Sequence, residues 1–182
     1  MTAVIYKLKS KKVSLDENVG YMSFIVDNSD PSKVTYQFLR VLNLNKGKKH
    51  VLFSQDGIDR IDYIVNAETS ELESGWIITN ENKKLDVQSN NYQEYINKAK
   101  QECFTNDCNK NSTLSKKASF SSCMDKCLSR SGVPKWLRDL IVDVTAVSCI
   151  FGPNPVCLAA LTQFAALKTS DAIRCVGACA KK

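Results

Sequence analysis

The sequence predicts an α+β protein in which an N-terminal antiparallel β-meander module precedes a disulfide-stapled C-terminal helical bundle. Two observations carry this prediction. Six segments rich in β-branched and aromatic residues fall within residues 1–102, separated by short polar breaks. All eight cysteines lie within residues 103–182, where apolar residues recur at helical spacing. We therefore divide the chain into a β-rich module (1–102), a polar linker (103–122) and a disulfide-rich helical domain (123–182).

The β-rich module is predicted from its alternation of apolar strands and turn residues. Breaks such as DNSDPSK, NLNKGKK, SQDG and NENKK carry the turn chemistry of an antiparallel meander. A helix is predicted at the end of the module, from Tyr92 to Phe104, to cover one face of the sheet. The six predicted strands are AVIYKL, YMSFIV, VTYQFLRVL, KHVLFS, IDYIV and GWIIT.

The linker has few large apolar residues and many small hydroxylated ones, as in TNDCNKNSTLSKKASFSS. Lys116 and Lys117 within it form a candidate processing site for a trypsin-like protease. The alternative is that the segment only separates two domains.

The helical domain is predicted as an up-down-up arrangement. A first helix begins near Leu114 or Ser115 and runs through CMDKC to Arg130, where Ser131-Gly132 supplies the stop. A second helix follows Pro134, and a third follows the turn GPNP. The apolar face of the second helix is predicted to contain Leu137, Leu140, Ile141, Val144, Val147, Ser148 and Phe151.

The eight cysteines indicate a disulfide framework made in an oxidising compartment, with zinc ligation or buried free thiols as alternatives. Zinc sites favour tighter CxxC spacing, often with histidine, and His50 lies outside the cysteine region. In CMDKC and CVGAC the i, i+4 spacing places both thiols on one helix face. The predicted disulfide cysteines are Cys103, Cys108, Cys123, Cys127, Cys149, Cys157, Cys175 and Cys179.

The partners in these bridges depend on how the helices run. Cys103 and Cys108 can close a local loop, and Cys149 and Cys157 flank the GPNP turn. The predicted up-down-up arrangement makes the first and last helices parallel neighbours. Parallel helices would join Cys123 to Cys175 and Cys127 to Cys179, whereas an antiparallel arrangement would exchange these partners. Sequence spacing alone leaves both pairings open.

The sequence carries no recognisable enzyme motif, cofactor site or metal triad. His50, in KGKKHVLF, is predicted to be an exposed turn residue, and the basic residues are too scattered to predict nucleic-acid binding. MTAVIYKLKSKK lacks the apolar run of a signal peptide, so for a secreted protein we interpret the sequence as the processed form.

Charge and apolar character together predict a membrane-active C-terminal part. Residues 1–102 hold 14 basic and 14 acidic residues, whereas residues 103–182 hold 11 and 5. Cations attract anionic lipid, and tryptophan favours the membrane interface. The alternative is that Trp136 and the apolar stripe form the core of the bundle. The candidate membrane-contact residues are Lys135, Trp136, Arg138 and Phe151.

A cysteine-free N-terminal part followed by a compact cysteine-rich domain, with runs such as CIFGPNPVCLAALTQFAAL, resembles halocin C8-type bacteriocin precursors. The resemblance covers residues 103–182 and is one of layout. It implies a released antimicrobial C-terminal part and an N-terminal part associated with immunity.

Two functions are therefore predicted as alternatives. The first is a secreted bacteriocin or toxin precursor whose helical domain acts on a target-cell membrane or surface receptor, with the β-rich module masking it or conferring immunity. The second is a secreted two-domain binding or inhibitor protein in which the helices are only a scaffold. Neither requires a cofactor or a nucleic acid.

Overall fold

The computed structural model describes residues 2–8, 18–26, 28–102, 120–151 and 174–175. The chain forms two compact units, residues 1–93 and 94–182. The first contains a seven-stranded antiparallel sheet whose strands follow one another in chain order. The strands are β1 (Thr2–Leu8), β2 (Asn18–Val26), β3 (Val34–Asn43), β4 (Lys48–Gln55), β5 (Ile58–Asn66), β6 (Leu72–Ile78) and β7 (Lys84–Asp86).

This order confirms the predicted antiparallel sheet and α+β class. All six predicted strands are present, and the short β7 was not predicted. The SQDG break forms the β4–β5 hairpin, where Asp56 and Gly57 have φ values of 51° and 79°. Two positive φ angles in a two-residue loop are typical of a type I′ turn, whose twist matches that of the flanking strands.

The two faces of the sheet differ in burial. One face is buried, and its largest fully enclosed side chains include Leu39, Phe53 and Tyr63. Ser23, Gln37 and Gln55 form a polar cross-strand row on that face, in which Gln37 Nε2 donates to Gln55 Oε1 at 3.4 Å. The other face, reached by every second residue, is only partly buried along all strands from β2 to β6.

Within the described residues, the sheet is followed by the helices α1 (Asn90–Glu102), α2 (Phe120–Arg130) and α3 (Lys135–Phe151). The Ser89 hydroxyl accepts a hydrogen bond from the Tyr92 amide at 3.2 Å, which caps the first turn of α1. Tyr92, Ile96 and Ala99 are buried at i, i+4 and i+7, so α1 has one apolar face.

The helix predicted from Tyr92 to Phe104 corresponds to α1, which extends from the first unit into the second. α2 begins at Phe120, within the segment assigned to the linker, while residues 103–119 lie outside the described residues. The predicted GPNP turn and third helix also lie outside them, except for Arg174 and Cys175, which are helical.

Candidate functional site

The connection between α2 and α3 is a tight turn closed by backbone hydrogen bonds. Gly132 has a φ of 72°, its amide donates to Ser129 O at 3.0 Å, and the Val133 amide donates to Leu128 O at 3.0 Å. This is the Schellman pattern, and the buried side chains of Leu128 and Val133 occupy the positions that usually make its apolar contact. The Pro134 carbonyl then accepts the first hydrogen bonds of α3. The stop predicted at Ser131-Gly132 is confirmed.

The helices share a small apolar interior. Leu137, Leu140 and Ile141 of the predicted apolar face are buried. The side chains of the other four members, Val144, Val147, Ser148 and Phe151, lie outside those described. Burial of a large aliphatic side chain stabilises a fold by roughly 1.5–3 kcal/mol. The buried apolar residues of this helix pair are Met124, Leu128, Val133, Leu137, Leu140 and Ile141.

One disulfide is defined among the described residues. Cys127 is bonded to Cys175, with their Cα atoms 5.6 Å apart. This partner choice belongs to the antiparallel alternative, not to the parallel one. Cys123, one turn before Cys127 on α2, is also disulfide-bonded. Cys149 lies on α3, and the remaining cysteines (Cys103, Cys108, Cys157 and Cys179) lie outside the described residues.

Arg138, a candidate membrane-contact residue, links α3 to α2. Its Nε lies 2.9 Å from Asp125 Oδ1, and its Nη1 donates to Val133 O at 3.2 Å. The Arg138 side chain is 17% exposed, whereas that of Asp125 is 52% exposed. A lipid contact by this guanidinium would therefore compete with the ion pair that joins the two helices.

The other candidate membrane-contact residues and the candidate processing site differ in exposure and in how far the structure describes them. Lys135 is largely exposed and forms an i, i+4 ion pair with Asp139 at 2.5 Å. Trp136 is half-buried. Phe151 is the last residue of α3, and its side chain is not among those described, while Lys116 and Lys117 lie outside the described residues.

His50 is not the exposed turn residue that the sequence predicted. It lies within β4, half-buried, and its Nε2 is 2.7 Å from Asp62 Oδ1 on β5. The basic KGKK run misled the prediction, because the hairpin ends at Gly47 and the strand begins at Lys48. In the described part of the chain, no three His, Cys, Asp or Glu side chains are close enough to hold a metal ion.

Sequence reasoning missed the partly exposed face of the sheet, which we call the open face. Its central row runs across the strands through Leu8, Gly20, Arg40, Leu52, Asp62 and Trp76. The Lys84 ammonium lies 4.5 Å from the Trp76 ring centroid at one end of this row. A signal was present in the strands themselves: YMSFIV and VTYQFLRVL carry apolar residues at both alternating positions.

None of the described helices is both long enough and apolar enough to cross a bilayer. The chain matches no family model, no curated protein and no solved structure. The functional assignment therefore depends on the chemistry of the two units alone.

Proposed function

We propose that this chain is a secreted precursor of a bacteriocin-like toxin, whose disulfide-stapled helical bundle acts on the membrane of a target cell. The division of the chain into two compact units carries the proposal, because the cysteines and the positive charge fall on the same side of it. Residues 94–182 hold 13 basic and 7 acidic residues, while residues 1–93 hold 12 of each. A cross-linked, cationic unit attached to a neutral one has the chemistry of a separable membrane-active module.

The disulfides stabilise the helical domain enough for it to stay folded after it is released from the chain. The Cys127–Cys175 bond closes a segment of 48 residues. In the chain-entropy model such a cross-link contributes on the order of 4 kcal/mol, which supports a unit of this size after its neighbour is removed. The β-rich module would then mask the helices before cleavage or protect the producing cell.

The test compares the oxidised full-length chain before and after cleavage at Lys116-Lys117 by a trypsin-like protease. We expect leakage from vesicles of anionic lipid to rise after cleavage, and to fall at high salt because screening weakens the initial attraction. The double substitution Lys116→Gln with Lys117→Gln is the matched control, since it keeps every other cut site. Cleaved chain that leaves vesicles and indicator cells intact would contradict the proposal.

A second candidate, a two-domain binding or inhibitor protein, is favoured by the ion pairs of α3. Arg138 and Lys135 both pair with carboxylates, and Leu137, Leu140 and Ile141 of α3 are buried. This arrangement suits a rigid scaffold. Mass spectrometry of the medium around producing cells separates the two candidates, because a scaffold remains part of the intact chain and a toxin precursor yields a C-terminal fragment.

A further inference from the structure

The open face exposes more apolar surface than a sheet in water usually does. Tyr6 is 55% exposed, Val34 44% and Tyr36 41%, and the rings of Tyr6 and Phe24 meet edge to face at 6.2 Å between centroids. The partly buried members of the same face extend it across β2 to β6. They are Met22, Phe24, Phe38, Leu42, Leu52, Ile64, Trp76 and Ile78. A largely apolar surface of this kind is typical of an interaction site.

Two opposite charges lie symmetrically within this surface, and one of them, Asp62, also has His50 Nε2 at 2.7 Å from its Oδ1. Arg40 on β3 is the cross-strand partner of Leu52 on β4, and Leu52 is the partner of Asp62 on β5. The two charged residues therefore stand on either side of Leu52, each about 4.8 Å away in the direction across the strands. The Arg40 Nε is buried and makes no hydrogen bond within the described part of the chain.

We propose that the open face is the interface between two copies of this chain, related by a two-fold axis that runs along β4 above Leu52. This operation places β3 of one copy over β5 of the other and keeps each cross-strand row at the same height. Arg40 then faces Asp62 of the second copy, and the reverse contact is made at the same time. A two-fold interface is self-complementary in this way.

The same operation also matches side chains by size. Gly20 on β2 comes opposite Trp76 on β6 of the second copy, so the smallest residue of the central row faces the largest. In the next row Leu42 on β3 comes opposite Ile64 on β5. The pairs Arg40–Asp62, Gly20–Trp76 and Leu42–Ile64 are thus matched about one axis, although Leu8 comes opposite Asp86 at the ends of the central row. The three matched pairs favour a second copy over an unrelated partner.

The face is large enough for a stable contact. Six strands about 4.8 Å apart and four rows of side chains about 6.8 Å apart give a planar area on the order of 500 Å² per copy. Two copies would bury roughly 1,000 Å² or more in total, which reaches the lower range of specific interfaces. The product is a β-sandwich with its two sheets about 10 Å apart.

The experiment measures self-association of the oxidised full-length chain by sedimentation equilibrium. We expect a concentration-dependent dimer. Arg40→Asp alone and Asp62→Arg alone place like charges opposite each other, and each should raise the dimer dissociation constant at least tenfold. The double swap restores unlike charges and should bring the constant back to within about threefold of the original.

The matched control is the swap Asp30→Lys with Lys33→Asp, which exchanges an ion pair of 3.3 Å in an exposed turn and leaves the net charge unchanged. It should not affect association. If either single Arg40 or Asp62 variant fails to fold, Leu52→Lys tests the same axis, since it brings two ammonium groups together at the centre.

Three results would overturn the proposal. The first is a folded chain that stays monomeric at a protein concentration of about 0.1 mM, which is taken as the weakest dissociation constant of a specific dimer. The second is a dimer that neither the single charge changes nor Leu52→Lys weakens. The third is a monomer that instead binds a long-chain aliphatic carboxylate in a manner that requires Arg40, which would assign the face to a small amphiphile.

Discussion

Replacing each of two glycines by alanine should separate two contributions to the free energy of unfolding, the cost of an unfavourable backbone conformation and the cost of a steric overlap. Gly132, in the α2–α3 turn, has a φ of 72°, and a Cβ placed on it would meet nothing within 4 Å. Gly75, on β6, has a φ of 127°, and its Cβ would overlap the backbone of Asp62 and Tyr63 on the neighbouring strand. Both substitutions force an L-residue into a backbone region that it avoids, but only the second also displaces a strand.

The expected magnitudes follow from this difference. Gly132→Ala carries only the left-handed penalty, about 1 kcal/mol in the free energy of unfolding. Gly75→Ala adds an overlap that no side-chain rotation relieves, and we expect a loss of about 3 kcal/mol or more.

The chain offers a separate probe for each substitution. Its two tryptophans fall one in each unit, Trp76 on β6 and Trp136 on α3. In a Trp136→Phe background, the fluorescence of Trp76 during urea unfolding reports the effect of Gly75→Ala. In a Trp76→Phe background, the fluorescence of Trp136 reports the effect of Gly132→Ala. Separate reporters matter because two units do not have to unfold in a single transition.

Two outcomes would refute the reasoning. Equal losses for the two alanine variants would mean that the close approach at Gly75 is not sterically limiting. A shift of the Trp76 transition by Gly132→Ala, equal to its effect on the Trp136 transition, would mean that the units unfold together.

Three further predictions follow from particular contacts. A double-mutant cycle with Asp125→Asn and Arg138→Gln, measured by urea unfolding, should give a coupling free energy of about 0.5 kcal/mol, because the carboxylate is half-exposed. A coupling of zero would mean that this ion pair does not stabilise the contact between α2 and α3. Burial raises the pKa of Tyr21 above its ordinary value of 10.0, so the phenol of the unfolded chain loses its proton first. The free energy of unfolding should therefore fall as the pH rises above 10, and Tyr21→Phe should flatten that slope. An unchanged slope would mean that other groups cause the pH dependence. Non-reducing peptide mapping should find four disulfides, with Cys123 joined to Cys179 as the antiparallel alternative requires; free thiols or bound zinc in freshly purified protein would contradict the framework.

The α+β class and the strand positions could be predicted from the sequence because they depend on local properties. β-branched runs, turn residues and helical spacing act over a few residues. The strand from Val34 to Asn43 and the stop of α2 at Gly132 could therefore be predicted. The charge asymmetry between the two parts of the chain is likewise a property of composition. These features would be the same whichever way the elements packed.

The strand register and the disulfide partner were decided only by the tertiary structure. The i, i+4 spacing of CMDKC and CVGAC fits either pairing, and only the path of the chain brings Cys127 to Cys175. In the same way, nothing local associates Arg40 with Leu52 and Asp62, which are 12 and 22 residues further along the chain. A one-residue slip in register would move each of them to the opposite face of the sheet. Contacts between residues distant in the chain depend on how whole elements pack, and sequence patterns that report only on neighbouring residues do not contain that information.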